Sequence, residues 1–227
     1  MQIKTRGIVL NYIRYSESSV ITKIYTEQYG LQTYIVNNVR SAKPKYTVAL
    51  FQPMTQLDMV VYHNYYGKIN RVSEIRISHP YRDLPFNIRK STVALFLSEM
   101  LLKTLREESS NPELYHFIIS SFTEYDALRR EYQNFHVQFL LHYLKYIGLE
   151  PVTLENLRAG NRRNNRSAFH DTKLLHDLLH EPYGSDRIRI GKKDRLDILE
   201  LITGFLIDHL GIEDSFKSLK VLTEVFD

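Results

Sequence analysis

The segment Arg40-Ser41-Ala42-Lys43-Pro44-Lys45-Tyr46 sets three cations and an aromatic ring within seven residues. Lysine and arginine neutralise phosphates and release their counterions, and a tyrosine ring stacks on an unpaired base, so this mixture suits a single nucleic-acid strand. Nine of the sixteen tyrosines lie between Tyr12 and Tyr66, in the same part of the chain. The competing reading is that tyrosine is simply a good strand former and that loop cations keep a surface soluble. A second basic loop holds Arg162, Arg163 and Arg166, and a third cluster holds Arg187, Arg189, Lys192, Lys193 and Arg195; a solvated loop accounts for either.

Other chemistries fail on residue type or spacing. The chain has no cysteine, which removes disulfides, thiolate metal sites and thiol nucleophiles together. Gly184 and the Gly191-Lys192 pair stand too far apart for a phosphate loop, and Lys193 occupies the place of the required Ser or Thr. His176 and His180 are one helical turn apart, with His170 upstream, but no third ligand accompanies them at convincing spacing, so a solvated or structural role is expected. No GxSxG elbow, HExxH pair or EF-hand loop is present, so the residues argue for a binding protein without a catalytic site, cofactor or metal.

Composition points the same way. Hydrophobic residues make up 43% of the 227 and charged residues 25%, enough apolar content to bury a core. Residues 1–80 carry ten Lys and Arg against four acids, a net of +6 within a chain of +4, so the positive charge is concentrated at the N-terminal end. No apolar run approaches the ~18 residues of a membrane span, and Met1-Gln2-Ile3-Lys4-Thr5-Arg6 lacks the apolar region of a signal peptide. The expected location is cytoplasmic, with no membrane partner.

The elements that must position these residues change character near Pro80. Before it, Val, Ile, Thr and Tyr are dense and alternate, predicting strands over about 5–14, 19–26, 31–38, 54–63 and 67–78. Five short strands in such a length suggest a small OB-like barrel, although periodicity alone leaves an SH3-like barrel or a sandwich open. After it, apolar residues recur at helical spacing, predicting helices over about 88–107, from Asn111-Pro112-Glu113 to Leu128, and over 131–147, 171–181, 194–210 and 216–226. Asn111 reads as an N-cap and Gly148 and Gly211 as C-terminal caps. The fold class expected is α+β: an N-terminal five-stranded OB-like barrel at 1–80 and a C-terminal all-α domain at 81–227, with a basic loop at about 158–170.

Several ordered blocks resemble the RecO family of DNA recombination and repair mediators. They are Gly7-Ile8-Val9-Leu10, Tyr15-Ser16-Glu17-Ser18-Ser19, Tyr25-Thr26-Glu27 with Gly30, Val39-Arg40-Ser41-Ala42-Lys43, Leu50-Phe51-Gln52-Pro53-Met54 and Ser218-Leu219-Lys220-Val221-Leu222. The resemblance implies a non-catalytic protein that binds single- and double-stranded DNA, anneals complementary strands and, with RecR, helps load recombinase onto strands coated by single-strand-binding protein. A nucleoid-associated location follows. On this reading Arg6, Arg14, Arg40, Lys43, Lys45 and Arg71 form the DNA-binding surface, Tyr34 and Tyr46 stack on bases, and Arg162, Arg163 and Arg166 are secondary contacts. The acidic tail of single-strand-binding protein would meet Arg129, Arg130 and Lys145. Many members carry a four-cysteine zinc module, which this chain cannot build; the basic loop lies in its place. Asn38 stands where the family often has glycine, and asparagine tolerates a left-handed backbone better than most residues. The alternatives are a protein–protein adaptor without significant DNA binding, and an OB-fold RNA-binding factor.

Overall fold

The computed structural model describes residues 2–40, 45–64, 69–105, 110–149, 152–160, 169–213 and 215–226. Five strands, β1 (Gln2–Tyr15), β2 (Ser19–Thr26), β3 (Gly30–Val36), β4 (Gln56–Tyr62) and β5 (Asn70–His79), close in the order β1-β2-β3-β5-β4. Seven helices follow among the described residues: α1 (Ile88–Thr104), α2 (Pro112–Ala127), α3 (Phe135–Tyr146), α4 (Leu154–Ala159), α5 (Thr172–His180), α6 (Lys192–Leu210) and α7 (Lys217–Val225). The expected α+β class is therefore observed, and the strand order is that of an OB-like barrel.

The barrel closes because β1 is long enough to serve two neighbours. Residues 2–8 pair with β4 and residues 7–15 with β2, with a register shift between Val9 and Asn11. Such a shift bends and twists a strand, which lets one segment turn from one partner to the next. Gly7 sits at the changeover: a Cβ there would meet Ile24 Cγ2 at 2.5 Å and Met59 Cε at 2.9 Å, so only glycine fits without displacing core side chains. The last seam is the narrow parallel pairing of β3 with β5 at Tyr34–Asn70 and Ile35–Arg71. Alternation fills the interior with Val9, Val20, Ile24, Tyr34, Val36, Leu57, Met59, Val61 and Ile75, and a 3-10 turn over Val48–Phe51 adds Phe51.

Contacts divide the chain into two compact units, Met1–Arg82 with Ala94–Phe122, and Asp83–Val93 with Thr123–Asp227. In the first, Tyr25 leaves the barrel interior and is buried instead beside Tyr115 of α2, their rings 6.3 Å apart. In the second, α3 is buried from Phe135 through Leu141, with α5 and α6 packed against it and α4 against α6. No helix among the described residues is long and apolar enough to cross a membrane.

Local signals match the sequence where the chemistry is local. Asn111 Oδ1 accepts from the Leu114 N–H at 3.0 Å, the N-cap expected of it. Gly148 and Gly211 adopt φ of +77° and +59° at their helix ends. Asn38 takes φ +57°, and its carbonyl accepts the Lys45 N–H at 2.9 Å. Two boundaries differ. The stretch expected to begin α3 at 131 is a 3-10 turn over Tyr132–Asn134, entered from Glu131 at φ +52°. The short helix α4, capped by Thr153 through the Asn156 N–H, was not foreseen, because six residues carry too little periodicity to announce a helix.

Candidate nucleic-acid interface

Four of the expected cations lie exposed on segments of the barrel that hydrogen bonds and strand pairing connect. The β1–β2 turn offers the Ser18 carbonyl, which accepts the N–H groups of Val39 at 2.9 Å and Arg40 at 3.1 Å. Arg40 is thereby tied to the turn that follows Arg14 in β1, and both side chains are exposed. From Asn38 the chain returns through Lys45, whose Nζ donates to the Ser73 carbonyl of β5 at 3.1 Å, two residues from exposed Arg71. Arg14, Arg40, Lys45 and Arg71 thus form a linked cationic rim, with exposed Glu17 the acid of the adjoining turn. Lys43, Arg162, Arg163 and Arg166 lie outside the described residues.

Arg6 does not join that rim. Its guanidinium donates to both carboxylate oxygens of Glu27, at 2.9 and 2.6 Å. This fork lowers the Glu27 carboxyl below its ordinary range and raises the guanidinium, and it pairs the cation within the barrel. Arg6 also lines a cavity of about 590 Å³ in which Lys4, Arg6 and Arg76 face Glu27, Asp58 and Glu74, and Arg76 is itself paired with Asp58 at 2.9 Å. Equal numbers of both signs give this cavity no net pull on a polyanion.

The stacking expectations change most. Tyr34 is 0% exposed and packed in the barrel core, so its ring has no face to offer a base; desolvation also raises its hydroxyl pKa. That assignment is corrected: strand alternation turns residue 34 inward. Tyr46 is half-buried, its hydroxyl donates to the Ser73 carbonyl at 3.1 Å, and the Lys45 ammonium lies 5.1 Å from its ring centroid. It braces the rim instead of presenting a free platform.

In the second unit, Arg129 and Arg130 are exposed before the Tyr132–Asn134 turn and Lys145 is exposed near the end of α3. From Phe135 to Lys145 α3 rises roughly 15 Å. Arg187 is paired with Glu181 at 3.3 Å, and Arg195 donates to Asn134 Oδ1 at 3.0 Å. His176 and His180 stack with ring centroids 4.0 Å apart, and His180 Nδ1 contacts the His176 carbonyl. A four-cysteine zinc module does not fit a chain without cysteine, and among the described residues no three His, Asp or Glu side chains gather as a metal site.

The sequence also missed Lys90, which is 0% exposed. Its Nζ donates to the carbonyls of Asp126 and Leu128 at 3.0 and 2.6 Å and pairs with Asp83 Oδ2 at 2.8 Å. The rings of Tyr125 and Tyr132 lie 5.4 and 5.3 Å away. A cation at the carbonyl end of α2 satisfies groups that a helix leaves orphaned there. This is architecture; a solvated phosphate has no access to that ammonium.

Comparison with known proteins places the chain. The family description Recombination protein O N terminal matches residues 1–81, and Recombination protein O C terminal matches residues 85–220. Among similar proteins, the DNA repair protein RecO of Christiangramia forsetii is 32% identical, with all of both chains covered. That of Flavobacterium johnsoniae is 31% identical with the same coverage, and that of Phocaeicola vulgatus is 31% identical over 98% of each chain.

Proposed function

Because the chain belongs to the RecO family of DNA repair proteins, we propose that it is a non-catalytic mediator that binds single- and double-stranded DNA and anneals complementary strands. With RecR it would help load recombinase onto strands coated by single-strand-binding protein, whose acidic tail is its second protein partner, and it would act in the cytoplasm at the nucleoid. The division of labour proposed is a DNA-binding barrel over 1–80 and a helical domain over 81–227.

The observation that carries this reading is the set of exposed cations Arg14, Arg40, Lys45 and Arg71, with Arg40 anchored at the Ser18 carbonyl and Lys45 at that of Ser73. Annealing needs lowered repulsion between two phosphate backbones while the bases stay free to pair. Fixed surface cations supply that without a general acid or base. Backbone anchoring matters because it presents the cations together without ordering each one at the moment of binding.

The test is a salt series with the Arg14→Ala/Arg40→Ala/Arg71→Ala variant, which spares Lys45 and its bond to β5. Loss of three phosphate contacts lowers the log–log salt slope for a single strand by about 2. Wild-type protein accelerates annealing of complementary strands, bare or coated, and the triple variant loses most of that acceleration. An unchanged slope would remove the rim from the DNA path.

A further inference from the structure

With Tyr34 inside the barrel and Tyr46 engaged at Ser73, neither of the two expected tyrosines offers an unpaired strand a free ring. Among the described tyrosines of β1–β5 and their connections, Tyr15 and Tyr62 are exposed, at 50% and 51%; the others are buried or half-buried. Tyr15 stands opposite Ser19 in the β1–β2 ladder. Tyr62 stands opposite Arg71, a member of the cationic rim.

Register extends this pair into a row. Ile21 of β2 pairs with Ile35 of β3, Ile35 with Arg71 of β5, and Arg71 with Tyr62 of β4. All four side chains are exposed or half-buried, as expected of one outward row on a pleated sheet. The row follows the curve of the closed barrel, so only neighbouring strands share a face, and Arg71 and Tyr62 stand one strand spacing, about 5 Å, apart. The row thus runs apolar, apolar, cationic, aromatic, and β2 and β3 contribute no acid to it: Lys23 is their single charged residue.

The tyrosine end is well anchored. His63, next to Tyr62, is buried and stacks on Tyr29 with centroids 4.2 Å apart. Buried Asn70, next to Arg71, accepts the Asn64 N–H at 2.8 Å and donates to Gln32 Oε1 of β3 at 3.1 Å. Tyr62 and Arg71 are therefore held on rigid strands, the arrangement in which a stacking ring loses little freedom on binding.

We propose that Tyr62 is the base-stacking residue of the barrel, with Arg71, its partner on the neighbouring strand, holding the adjacent phosphate, so that this pair selects unpaired strands over duplex. The proposal rests on the DNA-binding reading above and assigns it a strand preference. A duplex keeps its base faces stacked inside and gains only from the cations; an unpaired strand gains from the ring as well.

The experiment compares wild type, Tyr62→Ala, Tyr62→Phe and Arg71→Ala, with an oligo(dT) strand and a matched duplex, across a salt series. Tyr62→Ala weakens oligo(dT) about 5- to 150-fold, the loss of one stacked base, with its salt slope and the duplex affinity unchanged. Tyr62→Phe restores wild-type affinity, because it keeps the π-face and the fold. Arg71→Ala weakens both ligands and lowers the single-strand slope by about 0.7. The proposal is overturned if Tyr62→Ala binds oligo(dT) as wild type does, if strand and duplex weaken together, or if Tyr62→Phe fails to recover. Wild-type protein that binds neither ligand at low salt would instead overturn the DNA-binding reading itself.

Discussion

Two cations, Arg6 and Lys90, show how little a residue type says before its neighbours are known. Arg6 lies in the basic third of the sequence and is paired with Glu27; Lys90 lies in an ordinary helical stretch and is the fully buried ammonium of the second unit. Neither fate is legible in the sequence, because Glu27 and the α2 carbonyls reach these cations only through tertiary contact. Tyr34 teaches the same lesson: its type suits stacking, and the inward phase of β3 cancels it. The exposure of Arg40 and Arg71 was legible, because turns and outward strand positions leave cations in water. Lys90→Met leaves the Asp126 and Leu128 carbonyls without their donor, and each buried acceptor left unpaired costs about 1–3 kcal/mol. Urea unfolding of this variant, followed by circular dichroism, measures the loss; a cost below about 1 kcal/mol would mean that the hydrogen bonds are easily replaced by water.

At the scale of elements, strands and helices were largely legible because they depend on period and caps. The five strands lie within a few residues of the alternating segments, and α2 starts at its Asn111 cap. The closed seam between β3 and β5 was not legible, since two paired positions in a parallel ladder leave no mark on either strand. Nor was the changeover of β1 between two partners. Asn38 links element to site: its left-handed backbone turns the chain after β3, and its carbonyl receives Lys45, which then reaches Ser73. Asn38→Gly is accordingly neutral or nearly so, whereas Asn38→Val, forced to φ +57°, costs about 1–2 kcal/mol. The valine variant also loses DNA affinity beyond its loss of stability, because Lys45 and Arg40 flank the strained turn. Thermal melts and oligonucleotide binding on the same two variants separate these effects; equal DNA affinity in both would detach the turn from the rim.

Over the whole molecule, charge is divided between function and stability. The N-terminal third carries the excess cations, while both units hold ionisable groups in forms that acid disturbs. His136 is fully enclosed beside Phe226, with rings 5.7 Å apart, and burial pushes its pKa down to about 3. His63 and His142 are shifted in the same direction by burial. An unfolded histidine takes up its proton near pH 6.5, so between about pH 6.5 and 3 the unfolded chain binds more protons than the folded one. The stability from neutral His136 is complete above that window and lost as the pH falls through it. Glu27 beside Arg6, and Asp83 beside Lys90, titrate below their ordinary carboxylate values, so their contribution is present above about pH 4.5 and fades further into acid. Wild-type protein is thus less stable at pH 5 than at pH 7, with His136 alone accounting for about 2 kcal/mol. His136→Phe keeps a ring against Phe226 and removes the titration, so the difference in urea stability between pH 7 and pH 5 shrinks by that share, while the steeper loss below pH 4 remains. Identical pH 5–7 differences in variant and wild type would show that His136 gains its proton without unfolding the helices around it.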